Sequence, residues 1–201
     1  MRKKEDDSMK KIKKVTIHAG HNQSGEVACG AVGILDESKE ARIIVKKVIK
    51  LLKVNGIKAV DCTVNDGKGQ QDVLQRICTC CNAVKDADLN ISIHFNSGAG
   101  DQKGNGKTTG TEVLVTADKD DKGDIAMRIC SQMEKLGFKN KGVKVRSKLY
   151  FLNRTKKPAV LVEVCFVDDK DDAKLYNKNK DAVAKAIVKA ILNHNKKVEG
   201  K

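Results

Sequence analysis

Two histidines and one glutamate carry most of the chemistry legible in this chain. His21 closes the run Lys13-Lys14-Val15-Thr16-Ile17-His18-Ala19-Gly20-His21, and His94 closes Leu89-Asn90-Ile91-Ser92-Ile93-His94. Glu163 lies inside Pro158-Ala159-Val160-Leu161-Val162-Glu163-Val164. Each run reads as a short β-strand. In an open α/β sheet, groups at the carboxyl ends of neighbouring strands meet in one crevice. Imidazole and carboxylate ligands suit a catalytic zinc, with one coordination position left for water. The chain has only four histidines, so two at strand ends point to a zinc hydrolase. The competing role for each histidine is a hydrogen-bonded structural group. A glutamate in so apolar a run is costly to bury unless paired or functional, and a structural salt bridge is its alternative.

Positioning these residues calls for alternating strands and helices. A strand over about 13–18 leads through a Gly-rich loop to a helix over 37–54, with Ile44, Val45, Val48, Ile49, Leu51 and Leu52 along it. Asn55-Gly56 ends that helix, since glycine readily takes the left-handed conformation of a C-terminal cap. A strand over 58–63, a loop Asn65-Asp66-Gly67-Lys68-Gly69 and a helix over 70–84 follow. Next come the strand 89–95 and a Gly-, Lys- and Thr-rich stretch, 96–110, expected to be a mobile loop beside the site. A strand over 111–116 and a helix over 123–136 precede a less regular stretch around Leu149-Tyr150-Phe151-Leu152. The strand 158–166 and a helix over 181–195 complete the series. This order predicts a single α/β domain, a mostly parallel twisted sheet with helices on both faces. The expected divisions are a basic, flexible leader over 1–12, the catalytic domain over 13–195, and a flexible tail over 196–201.

Composition narrows the partners. At 201 residues the chain is long enough for one good core. Aromatics are 3% with no Trp, which argues against a platform for stacking sugars or bases. The net charge of +14 favours polyanions in general: nucleic acid, anionic lipid or an acidic wall polymer. Scattered lysines that solvate helix faces explain the same number. Arginines are few and no nucleic-acid module is visible, so nucleic acid is not expected as a partner. No run approaches a membrane span. The charged start, Met1-Arg2-Lys3-Lys4-Glu5-Asp6-Asp7-Ser8-Met9, lacks the apolar stretch of a signal peptide, which predicts synthesis in the cytoplasm. Seven cysteines, mostly within apolar runs, read as reduced core thiols. Cys78 and Cys81 form a C-x-x-C without a second pair, which weakens a metal or redox reading.

From Val15 to Leu192 the chain resembles the zinc-dependent N-acetylmuramoyl-L-alanine amidases of the amidase-3 type. The resemblance rests on Ile17-His18-Ala19-Gly20-His21, Gly33-Ile34-Leu35-Asp36-Glu37, Ser92-Ile93-His94-Phe95-Asn96, Gly110-Thr111-Glu112-Val113 and Pro158-Ala159-Val160-Leu161-Val162-Glu163. It implies one Zn2+ per chain held by His21, Glu37 and His94, with Glu163 as the catalytic carboxylate. Asn96 and Glu112 match positions flanking the site. His18 stands where the family usually has Asp and is a possible outer-shell residue. His194, in the terminal helix, reads as a surface residue. Arg76 and Asn82 fit the family pattern in structural roles. From the residues alone Glu37 is the least secure ligand, because Asp36, Glu37 and Glu40 all crowd a helix start where carboxylates also cap free N–H groups.

The resemblance implies hydrolysis of the amide between N-acetylmuramic acid and L-alanine in peptidoglycan, at the cell wall after release from the cytoplasm, as a phage or prophage endolysin acts. A sporulation or germination autolysin of the same chemistry and a zinc peptidase cutting within the stem peptide are the alternatives. A basic module binding wall or other polyanions without catalysis is the non-enzyme reading. Anionic wall polymers are a further expected partner through the basic surface.

Overall fold

In a computed structural model, which describes residues 10–117 and 121–200, the alternating apolar runs become strands and helices in nearly the expected order. They are β1 (Lys14–Ala19), α1 (Glu37–Val54), β2 (Lys58–Asp61), α2 (Gln70–Ala83), β3 (Leu89–Asn96), β4 (Thr111–Val115), α3 (Asp121–Glu134), β5 (Asn140–Val145), α4 (Tyr150–Arg154), β6 (Ala159–Phe166) and α5 (Lys170–Val198). The strands form one sheet in the order β2-β1-β3-β6-β4-β5. Neighbours are parallel except β4 and β6, which are antiparallel.

Alternation along the strands divides the core. Val15, Ile17, Ile91, Ile93, Val160 and Val162 face α1, α3 and α5 in the larger apolar cluster. Leu114 and Leu161 face α2 and α4, where Val73, Ile77, Phe151 and Leu152 pack in a second cluster. Register then sets two rows of side chains across the α2/α4 face. His18, Ser92, Leu161 and Leu114 form one row, and His94, Glu163 and Glu112 form the next toward the carboxyl ends of β3 and β6.

Helix α1 begins where Asp36 accepts the Lys39 N–H at 3.0 Å, a side-chain cap that satisfies a free donor. It ends at Gly56, whose φ of 75° lies in the left-handed region. Its buried stripe, Ala41, Ile44, Val45, Val48 and Leu52, lies against the sheet. Burying each large aliphatic side chain of such a stripe contributes roughly 1.5–3 kcal/mol.

Several expectations need correction. Strand β5 and helix α4 fall in the stretch read as irregular. Helix α5 starts at Lys170 rather than 181, and its first part meets the second at Asn179, where φ is −127°. The first nine residues of the expected leader lie outside the described residues, but Ile12 is a core residue, 1% exposed. Its N–H and C=O pair with the Asn195 side chain at 2.7 and 2.8 Å. The expected tail is helical through Val198, and Glu199 pairs with Lys11. His194 is fully buried rather than exposed: Nδ1 meets Asp124 at 2.8 Å and Nε2 meets the Lys10 carbonyl at 2.9 Å.

The loop over 96–110 is pinned rather than left loose. Asp168 accepts N–H groups of Gly98, Ala99 and Gly100, Asp171 those of Asn105 and Gly106, Asp169 that of Thr109, and Asp172 that of Gly110. The cysteines are not all thiols, since Cys62 at the end of β2 is bonded to Cys80 on α2. Cys78 and Cys81 remain free and buried. No helix among the described residues is long and apolar enough to cross a membrane.

Candidate metal centre

The turn after β1, the first turn of α1 and the end of β3 bring His21, Glu37 and His94 to one point. Glu37 Oε1 lies 3.0 Å from His94 Nδ1 and 3.4 Å from His21 Nε2. One donor atom from each of the three residues lies within 4.8 Å of the others. Glu37 is held from behind, because Oε1 also accepts the Phe95 N–H at 3.1 Å and Oε2 the Ala31 N–H at 2.9 Å. Burial opposes ionisation of this carboxyl, yet hydrogen bonds to His21 and His94 hold it well below the usual carboxylate range.

Two glycines make the convergence possible. A Cβ on Gly20 would run into the His94 ring, and one on Gly30 into the Glu37 side chain. His21 itself has φ 62°, a conformation that costs a side-chain-bearing residue about 1 kcal/mol or more. Arg42 spans the neighbouring backbone, donating to the carbonyls of His21 (3.1 Å), Val64 (2.8 Å) and Ser38 (2.8 Å). Asn22 is fully buried and bonds Gly67 through both ends of its amide, at 2.7 and 2.9 Å. Sequence reasoning missed Arg42 and Asn22. Their signal is indirect, a polar side chain beside a Gly-rich loop, and it does not stand out from surface polarity.

Glu40 is occupied elsewhere. It accepts from Tyr176 Oη and Lys180 Nζ, both at 2.8 Å, which places it toward α5 and away from the histidines. Glu163 is the register neighbour of both His94 and Glu112. Its Oε2 is buried without a hydrogen-bond partner. Burial, then the carboxylates of Glu37 and Glu112, push its carboxyl up to about 8. A carboxyl with that affinity can both take and return a proton near neutral pH.

Asn96 and Glu112 bind each other at 3.0 Å. The pair flanks Glu163, and neither residue has a hydrogen bond to His21 or His94 among the described contacts. His18 lies in the row beneath, 2% exposed, its ring edge-on to Phe151 at 4.6 Å between centroids. A cavity of about 260 Å³ opens beside these groups, bounded by the sheet, α2 and α4. Arg76 pairs with Asp66 at 2.7 Å. Asn82 ties α2 to the chain before β6 through Arg154 and Lys156. Both contacts are structural. Burial raises the thiols of Cys78, to about 11, and of Cys81, so neither is primed to bind a metal.

A His–Glu–His donor set at the carboxyl edge of an open α/β sheet, beside a buried carboxylate, has the make-up of a metallohydrolase domain. The chain belongs to the N-acetylmuramoyl-L-alanine amidase family, whose model matches residues 15–193. It is 36% identical over 195 residues to an uncharacterized protein of Clostridium perfringens (strain 13 / Type A), covering 93% of this chain and 55% of that one. It is 32% identical over 170 residues to an endolysin of Bacillus phage SPP1, covering 83% of this chain and 59% of that one. Among solved structures, the catalytic domain of the CD27L endolysin, described as targeting Clostridia Difficile, matches with a TM-score of 0.78 at 29% identity. That match covers 90% of this chain and 97% of the other. The chain spans about half the length of the curated relatives it matches.

Proposed function

We propose that this domain hydrolyses the amide joining the lactyl group of N-acetylmuramic acid to L-alanine in bacterial peptidoglycan, with one zinc held by His21, Glu37 and His94. The observation that carries the reading is the meeting of these three donors beside Glu163 in a chain whose family match spans the whole site. Two imidazole nitrogens and a carboxylate oxygen fit a zinc that keeps an open position, and alkaline-earth ions prefer all-oxygen sites. Zinc bound there would polarise the scissile carbonyl and acidify water.

The remaining work falls to the chain itself. Glu163 takes the proton of the attacking water and delivers it to the leaving nitrogen of L-alanine. The backbone donors of Ala31 and Phe95 fix Glu37, so its carboxylate keeps one orientation throughout. The Asn96–Glu112 pair keeps a second negative charge next to Glu163, which helps retain its proton until the leaving nitrogen needs it. The two endolysin relatives support action on the wall after release from the producing cell. An autolysin would use the same chemistry. Anionic wall polymers are a second partner in this reading, recruited by the excess of lysine.

Product analysis of digested, purified cell walls tests the proposal. Cleavage should expose new L-alanine amino termini and leave intact muramic acid. New amino termini on other stem residues, without alanine, would instead make the protein a stem peptidase.

A further inference from the structure

The cavity beside the metal donors has a polar floor that the chemistry above leaves unused. Among the described residues, four buried side-chain polar atoms have no hydrogen-bond partner: His18 Nε2, Ser92 Oγ, Asp101 Oδ2 and Glu163 Oε2. Three of these residues, all but Asp101, line this one cavity. Buried polar atoms are paired as a rule in folded proteins, so three unpaired ones around one space call for an explanation, and a partner supplied from the cavity is one. Glu163 is accounted for by the reaction. His18 and Ser92 are not.

His18 and Ser92 are register partners on β1 and β3, 2% and 0% exposed, and they do not bond each other. The His18 ring is oriented by its other nitrogen. Nδ1 lies 3.0 Å from the Ala19 carbonyl, so Nδ1 carries the hydrogen and Nε2 presents a lone pair. Burial keeps this ring neutral, with its pKa lowered to about 3. Ser92 Oγ can donate its O–H. The walls are apolar: Val73 and Ile77 from α2, Phe151 from α4, and Leu114 and Leu161 from the sheet.

One acceptor and one donor, a strand apart in an apolar pocket, complement a neutral secondary amide with a short apolar end. Its N–H meets His18 Nε2, its carbonyl meets Ser92 Oγ, and its methyl meets the walls. A carboxylate finds no cation at this floor. Because the floor is built of buried residues of the sheet, the pocket accepts a terminal branch and not a continuing chain. In a muramoyl-peptide the terminal branch of that chemistry near the scissile amide is the 2-acetamido group of the sugar. Resting on the amidase reading, we propose that His18 and Ser92 form the subsite that seats this acetamido group and thereby select N-acetylated muramoyl residues.

The test compares N-acetylmuramoyl-L-alanyl-D-isoglutamine with the analogue bearing a hydroxyl in place of the 2-acetamido group, using the zinc-loaded protein. The wild type should favour the acetamido substrate by about tenfold or more in kcat/KM, as two neutral hydrogen bonds allow, with the difference mainly in KM. That preference should fall toward one in Ser92→Ala and in His18→Phe. Ser92→Ala removes one oxygen from a strand and keeps the fold testable if His18→Phe does not fold. Equal turnover of both substrates by the wild type, or an undiminished preference in Ser92→Ala, overturns the subsite. If neither substrate is cleaved, the amidase reading fails, and imidazole ¹⁵N NMR judges the subsite separately. The His18 Nε2 signal should shift with N-acetylmuramic acid and not with 3-O-lactylglucose, which lacks the acetamido group. No shift, or the same shift with both, overturns it.

Discussion

Glu37 and Glu40 stand one turn apart at the start of α1 and face different partners, Glu37 the two histidines and Glu40 the Tyr176 hydroxyl and Lys180 ammonium. Their substitution should therefore separate metal binding from stability. Glu37→Ala should weaken zinc binding by more than the ~10–100-fold typical of losing an outer partner. Glu40→Ala should keep the metal but lose about 1–3 kcal/mol of stability, because the buried Tyr176 hydroxyl is left unpaired. Zinc titration and denaturant unfolding of the two variants check this, and the reverse pattern would move the ligand to Glu40. Glu163→Gln should keep fold and zinc yet lose ~10²–10⁴-fold in turnover, since the amide cannot accept the proton. Near-normal turnover would shift the role to Glu112. His21, His94 and Glu163 stand out in the sequence by their places at strand ends and within an apolar strand, although each also has a structural reading there, and the family pattern is what selects the functional one. Glu37 is not, because carboxylates at a helix start also serve as caps. Only its register in the family pattern singles it out.

At the scale of elements, long amphipathic or apolar runs declare themselves, and β1, β3, β6 and α1 fall close to their expected limits. What the pattern hides is structure held by distant polar partners. The run Asp168-Asp169-Lys170-Asp171-Asp172 falls between the elements that periodicity marks, yet it caps α5 and receives the backbone N–H groups of the 96–110 loop. His194 looks exposed on a polar helix end, yet Asp124 collects it with Arg128 and Lys197 at 2.7–2.9 Å. Burial opposes the charge on Asp124, but these hydrogen bonds hold its carboxyl well below the usual range. A depressed carboxyl stabilises the fold above its unfolded value of about 3.9 and loses that contribution as pH falls through the folded value. Asp124→Asn should thus be less stable than wild type at pH 7, with the gap closing below about pH 4. An equal gap at pH 7 and pH 3 would contradict this. Likewise, thiol titration of the unfolded, unreduced protein should find five thiols, with two more after reduction, since only Cys62 and Cys80 are paired. Seven before reduction would contradict the pairing, which a separation of 18 positions conceals in the sequence.

For the molecule as a whole, the charge of +14 is the ground of the proposed recruitment to polyanionic wall, and solvation by scattered lysines is its rival. Such attraction is screened within ~8 Å at physiological ionic strength. Wall association should fall as salt rises, while cleavage of a small muramoyl-peptide changes much less. Association that is the same at low and high salt would leave the lysines a role in solubility alone. The fold class and the site's location at the carboxyl edge of the sheet follow from the order of elements, whereas the identity of the proposed ion depends on three donors meeting in space. The central claim, a zinc amidase centred on His21, Glu37 and His94, is tested most directly by metal analysis coupled to wall digestion. The purified protein should carry one zinc per chain, and chelation should abolish the release of L-alanine amino termini from purified walls. Restoring zinc should restore that release. Undiminished release by rigorously metal-free protein would contradict the account.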